Sequence, residues 1–137
     1  MKILDFWFPD DLLQSMDLWF GKSPTTDKDI DNKFGSLVQE ATSGQLDWWQ
    51  DNPLNCLALV ILLDQFPRNI YRHTDRMYDQ DGKAQGLAVK AIYHNYHQML
   101  NPKYRVFLPC IVLTHAENKH LQVTHSSEFS DIFLITI

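Results

Sequence analysis

The chain has 137 residues, of which 45% are hydrophobic and 21% charged, and its formal net charge at pH 7 is −5. This composition is typical of one soluble globular domain that is large enough for a core of its own. The negative charge gives no electrostatic reason to expect DNA or RNA as a partner.

The sequence also indicates a compartment. No apolar run reaches the roughly twenty residues that a membrane span needs. Asp5, Pro9, Asp10 and Asp11 interrupt the stretch in which a signal peptide would be apolar. The two cysteines are isolated and form no CxxC pair, which favours a reducing environment. We therefore expect a cytoplasmic protein that does not span a membrane.

Three helices are predicted before the middle of the chain. Met1–Phe8 predicts a short helix that a proline ends, and Asp11–Phe20 predicts a short amphipathic helix. Thr25 or Thr26 can cap the third helix. Its apolar residues recur at helical spacing until Gly44 stops it.

Aromatic side chains are frequent in the same region, which contains all four tryptophans. Because aromatic rings bring large apolar areas, we expect them in the core. Trp19 and Phe20 precede a flexible turn and are a candidate pocket wall.

An eight-residue apolar run, Cys56–Leu63, in the stretch NPLNCLALVILLDQFPRNIYR predicts the central helix of an all-α domain. Asn52 can accept a backbone N–H bond as N-cap, and Pro53 suits the first helical position. Pro67 disfavours helical geometry at Phe66, so the helix should span about residues 53–66. A helix that is apolar on every side is a buried one.

The end of this helix carries an unexpected charge. Asp64 lies in the last turn, where the helix dipole opposes a carboxylate. Arg68 and Arg72 are the nearest cations in the sequence, although Pro67 should prevent i,i+4 helical spacing. The group is either a structural ion pair, which is the commoner case, or a site for an anionic ligand.

Two further helices are predicted in the second half. One runs from about Gly82 to Leu100, and another covers Tyr104 to Thr114, where β-branched residues leave a strand as the alternative.

His94 and His97 are three apart and could share a metal, but no third ligand accompanies them. We expect both histidines to be exposed to solvent, and we expect neither a metal nor another cofactor.

The motifs DFWF, WFGKSPTTDKDIDNKFGSLVQEATSGQLDWW and LDQFPRNIYR resemble the bacterial domain-of-unknown-function 924 family over residues 3–122. The resemblance implies an all-α fold in the tetratricopeptide-like helical superfamily, with antiparallel packing and no established activity. The family's signature positions correspond to Trp7, Trp19, Phe20, Asp64, Gln65, Phe66, Pro67, Arg68, Asn69 and Arg72. A His-Ser-Glu signature is similar to His115-Ala116-Glu117, with alanine in place of serine.

The domain should therefore comprise residues 1–122, followed by a divergent tail, residues 123–137. This tail indicates a shortened C-terminus, either natural or caused by a frameshift or an early stop.

Two function classes follow. The first is a binding module for a peptide or a small anionic ligand, with Trp19, Phe20, Gln65, Arg68, Asn69 and Arg72 as candidate contacts. The second is a small metal-independent enzyme with His115, Glu117 and Asp64 as acid–base candidates and Arg68 as anion clamp. In either case we expect these polar groups to meet in one cluster. A ligand site would leave an arginine with unpaired donors.

Overall fold

A computed structural model describes the backbone of residues 1–119 and the side chains of residues 1–114. This part of the chain is helical and contains no strand, which confirms the all-α prediction. The α-helices are α1 (Lys2–Trp7), α2 (Leu12–Phe20), α3 (Pro24–Thr42), α4 (Pro53–Asp64), α5 (Phe66–Ile70), α6 (Asp81–Tyr93), α7 (Tyr96–Met99), α8 (Pro102–Arg105) and α9 (Phe107–Lys119). Two 3-10 turns, Asp47–Asp51 and Asp75–Tyr78, connect them. None of the described helices is both long and apolar enough to cross a membrane.

The predicted central helix is α4. The side chain of Asn52 accepts a hydrogen bond of 3.0 Å from the backbone N–H of Asn55, and Pro53 follows at the start of the helix. Every residue from Cys56 to Asp64 is buried, because α3, α5 and α6 all pack around α4. Burial raises the pKa of the Cys56 thiol to about 11.

Two contacts show that α4 and α6 run antiparallel. Arg68, just after α4, binds Asp81 at the start of α6, while Lys90 near the end of α6 lies 2.9 Å from Gln50, just before α4. The tetratricopeptide-like arrangement of the whole domain stays a prediction.

An aromatic core joins α1, α3 and α5. The Phe66 ring stacks on Phe34 at a centroid distance of 5.1 Å and meets Trp7 edge-on at 5.5 Å. Most of the aromatic side chains thus lie in or against the core, as expected. Phe20 and Trp48 do not, because their side chains are 74% and 64% exposed.

The helix predicted from Gly82 to Leu100 is interrupted. Asn95 has a left-handed backbone with φ 59°, a conformation that asparagine tolerates better than most residues. The chain therefore leaves α6 at Tyr93 and begins α7 in a new direction.

The interruption separates the two histidines. His94 stays exposed, but His97 is only 2% exposed, so the prediction that both face solvent was wrong. Neither ring nitrogen of His97 has a hydrogen-bond partner in the described part of the chain.

The apolar segment after Tyr104 is helical rather than extended. It forms the short α8 and then α9, which begins at Phe107 and contains Pro109 in its first turn. Proline is tolerated there because the first backbone N–H groups of a helix have no partner within it.

Candidate functional site

Asp64 is 1% exposed and lies at the end of α4. The Gln65 side-chain amide donates a hydrogen bond to Asp64 Oδ2, and Arg68 Nη1 donates one to the Asp64 carbonyl oxygen. Arg68 Nη1 also lies 3.5 Å from Asp64 Oδ2. The prediction that Pro67 would prevent this i,i+4 pair was wrong. Because α5 begins directly after Gln65 and accepts a proline in its first turn, the helical path continues past the end of α4.

Arg68 has a second acidic partner that sequence reasoning missed. Its Nη1 and Nη2 donate to the two carboxylate oxygens of Asp81, at 3.1 and 2.9 Å. Asp81 is the first residue of α6, where the helix dipole favours a negative charge. The guanidinium also lies 5.1 Å from the centre of the Tyr78 ring. We call Asp64, Gln65, Arg68 and Asp81 the first ion-pair group.

Arg72 belongs to a separate group. Its Nε and Nη2 donate to the Asp27 carboxylate at 2.6 and 2.9 Å, and the Asn69 amide donates to the same carboxylate at 3.0 Å. The bonds from Arg72 hold the pKa of Asp27 below its usual value; burial opposes this effect, and the Asn69 bond adds to it. We call Asp27, Asn69 and Arg72 the second ion-pair group.

The described contacts therefore divide the predicted cluster into two groups, one with Asp64 and Asp81 around Arg68 and one with Asp27 bound to Arg72. Each arginine binds an aspartate with two parallel N–H groups, the geometry that an anionic ligand would otherwise need. The side chains of His115 and Glu117 lie outside the described residues, so their meeting with Asp64 and Arg68 stays a prediction.

Trp19 and Phe20 make their described ring contacts with other aromatic residues rather than with either arginine. The Trp19 indole N–H donates a 2.7 Å hydrogen bond to the carbonyl oxygen of Trp7, and its ring packs against Trp7 and Phe8. These contacts fix α2 to α1. Phe20 projects to solvent.

The rest of α2 is as unusual as Phe20. Ser15 is its only buried residue, and its hydroxyl donates to the carbonyl oxygens of Pro9 and Asp11, each at 3.0 Å. Four apolar side chains of this helix are between 48% and 78% exposed: Leu12, Leu13, Met16 and Phe20. We call these four residues the α2 stripe.

The stripe is continuous because of helical spacing. Leu12, Met16 and Phe20 are four apart and so lie in one row along the helix, with Leu13 beside it. Asp17 lies next to Leu13 on the helical projection, and Asp11 caps the N-terminus by accepting bonds from the backbone N–H groups of Leu13 and Gln14.

Comparison with known proteins identifies the family of the chain. A model of a bacterial protein family of unknown function, DUF924, matches residues 3–134. A solved structure of a protein of unknown function from Agrobacterium tumefaciens, ATU0120, is 34% identical with a TM-score of 0.71. The match covers 80% of this chain and 60% of that one, so this chain spans about three fifths of that relative's length. No curated protein matches. The chain belongs to the bacterial DUF924 family.

Proposed function

We propose that the chain is a helical binding module of the cytoplasm that docks an apolar segment of a partner protein on the α2 stripe. The main support is the exposure of the four residues of the α2 stripe. The helix itself is fixed to the residues before it, because Ser15 donates a hydrogen bond to Pro9 and Trp19 donates one to Trp7. Scattered exposed apolar residues are ordinary, but a continuous apolar row is typical of an interaction surface.

Burial of the apolar area of the α2 stripe would stabilise a complex. Burying a side chain such as Leu, Met or Phe removes enough apolar surface from water to contribute about 1.5–3 kcal/mol. Four such side chains would contribute about 6–12 kcal/mol at most, against association costs of about 4–15 kcal/mol, so the stripe suits a weak and reversible partner. The row spans about 12 Å at 1.5 Å per residue, which is the length of two turns of a partner helix.

The two arginines give less support to a small anionic ligand. Displacing Asp81 from Arg68, or Asp27 from Arg72, would require the ligand to replace two hydrogen bonds at 3.1 Å or less. The enzymatic alternative rests on His115 and Glu117, and it stays a prediction.

A designed peptide tests the docking surface. The probe is a sixteen-residue helical peptide with leucines in a single apolar row and glutamines elsewhere. Methyl labelling of the methionines makes the four methyl signals visible by NMR. We expect the Met16 signal to shift on titration, while that of Met99, which is 66% exposed, stays in place.

Matched substitutions complete the test. Phe20→Ser should weaken binding by about tenfold, since a loss of 1.4 kcal/mol corresponds to that factor. Trp48→Ser is the control, because Trp48 is a comparably exposed aromatic residue on a different element. Equal shifts of Met16 and Met99, or equal losses in the two variants, would contradict docking on the α2 stripe.

A further inference from the structure

We infer that the segment recognised by the α2 stripe is a basic amphipathic helix. This inference rests on the proposed docking function and adds the charge of the partner. It follows from the acidic residues at the N-terminal end and on one side of the stripe.

The segment PDDLLQSMDLWFG, residues 9–21, contains three aspartates and no lysine, arginine or histidine. Asp17 lies beside the row of apolar side chains, and Asp10 and Asp11 lie at the N-terminal end of α2. Lys103 binds Asp10 at 2.8 Å and partly neutralises it. Asp11 and Asp17 are both exposed. The Asp11 carboxylate accepts hydrogen bonds from the backbone N–H groups of Leu13 and Gln14, and neither carboxylate has a described ion pair with a lysine or an arginine. The stripe therefore has exposed carboxylates at its N-terminal end and along one side, a negative rim that ends at Phe20, after which Lys22 is exposed.

A negative rim selects among possible occupants by complementarity. Lysine or arginine residues flanking the apolar row of a partner helix would lie against Asp11 and Asp17. The stems of these cationic side chains would extend the apolar contact while their charged ends pair with the carboxylates. The partner would pack as a helix along the α2 stripe, with its own apolar anchors at i, i+3, i+4 and i+7.

Three other occupants fit the charges less well. A second copy of this chain would bring its own aspartates against Asp11 and Asp17, and the whole chain carries −5. The chain's own residues 120–137 contain Glu128 and Asp131 and no lysine or arginine. An anionic membrane surface attracts basic helices and would be repelled by this rim.

The experiment compares three peptides with the same leucine row, whose other positions are glutamine, lysine or glutamate. Fluorescence anisotropy measures their affinity for the full chain. We expect the lysine peptide to bind at least tenfold more tightly than the glutamate peptide at 50 mM salt, with a smaller ratio at 300 mM because salt screens exposed charges.

Charge reversal provides the matched control. Asp17→Lys should lower the affinity for the lysine peptide and raise that for the glutamate peptide, whereas Asp51→Lys, at an exposed position on the 3-10 turn before α4, should change neither. If all three peptides bind equally and Phe20→Ser weakens each, docking on the stripe stands and the basic partner is wrong. If none binds, the proposed function fails as well.

Two further measurements decide between the occupants. Sedimentation equilibrium should show no dimer that Phe20→Ser dissociates; such a dimer would make a second copy the occupant and overturn the inference. Phe133→Ser in the full chain should leave the affinity for the lysine peptide unchanged. A general gain for all three peptides would identify the chain's own C-terminal segment as the occupant.

Discussion

Arg72 and Asp27 are 45 positions apart in the chain, and the guanidinium of one donates two hydrogen bonds to the carboxylate of the other. Their side chains are only 20% and 17% exposed. The pair connects the second residue after α5 to the first turn of α3, and Asn69 adds a third bond to the same carboxylate. The pair therefore joins the two ends of a chain segment that contains α4.

A double-mutant cycle measures this connection. We expect Asp27→Ala and Arg72→Ala to show a coupling free energy of about 1.5–3 kcal/mol, since bonds between charged, half-buried groups are the strong ones. The control pair is Asp29 and Lys33 on the same helix, 3.2 Å apart but 45% and 53% exposed. Its coupling should stay below about 0.5 kcal/mol.

The same cycle has a predictable pH dependence. Arg72 lowers the pKa of Asp27 from its ordinary value of 3.8. The pair therefore contributes its full stability above about pH 3.8 and loses it as the pH falls through the lower folded-state pKa. Coupling that is equal at pH 7 and at pH 2 would contradict the assignment.

Arg68→Ala should lower the free energy of unfolding by about 2–3 kcal/mol. The change removes the bidentate partner of Asp81 and the cation beside the buried Asp64. The cost lies at or below the low end of the range of about 3–5 kcal/mol for broken buried pairs, because the Arg68 side chain is 28% exposed. Urea unfolding measures it. A stable Arg68→Ala variant that loses the response to an anionic metabolite would instead favour an anion site.

Leu62→Ala should destabilise the protein by about 2–5 kcal/mol, because Leu62 is fully buried in α4 and its truncation leaves a cavity. Leu54→Ala is the control on the same helix, where the side chain is 46% exposed. Its effect in thermal or urea unfolding should be well under half as large. Similar losses for both variants would be inconsistent with a central α4.

His97 should make the protein less stable as the pH falls below about 6.5. Burial lowers the folded-state pKa of His97, and the neighbouring Arg105 lowers it further. Below the ordinary pKa of 6.5 the unfolded chain therefore binds a proton that the folded chain resists, so the free energy of unfolding decreases until the folded-state pKa is reached.

Substitution isolates this effect from the other titrating groups. His97→Leu should abolish the part of the pH slope below about pH 6.5 that His97 causes, while His94→Gln, at an exposed position, should retain it. At pH 7 His97→Leu should be neutral or stabilising, because neither ring nitrogen has a described hydrogen-bond partner to lose. An unchanged slope would show that His97 is neutral in both states or accessible to protons in both.

The central helix was predictable because its signals are local. Asn52 and Pro53 mark its start, and its all-round apolar sequence requires burial wherever its neighbours lie. The interruption at Asn95 could not be predicted in this way. The apolar stripe continues to Tyr96, and a single asparagine within a helical pattern is not enough to predict a left-handed residue. That single residue decided which of the two histidines is buried.

The ion-pair partners were not predictable for a different reason. Asp64 and the two arginines are close in the sequence. An ion pair between them was predictable, because a carboxylate at the C-terminal end of a helix is unfavourable without a nearby cation. Asp27 and Asp81 are brought to them only by tertiary packing, 45 and 13 positions away. Their place in the first turns of α3 and α6 was a partial signal, because the helix dipole favours carboxylates there. The exposure of the α2 stripe could not be predicted either. The sequence of α2 is amphipathic, and an amphipathic pattern predicts that the apolar side of the helix is buried.

The different burial of the two cysteine thiols makes the opening of the core measurable. Cys56 is buried at the start of the apolar run of α4, and Cys110 on α9 is exposed. An alkylating reagent will modify the exposed Cys110 first, although partial burial raises the pKa of that thiol. Cys56, whose pKa is raised to about 11 while it is buried, reacts only when α4 separates from its neighbours. The ratio of the two rates reports how often the centre of the domain opens, without denaturant and in the presence of any partner bound to α2.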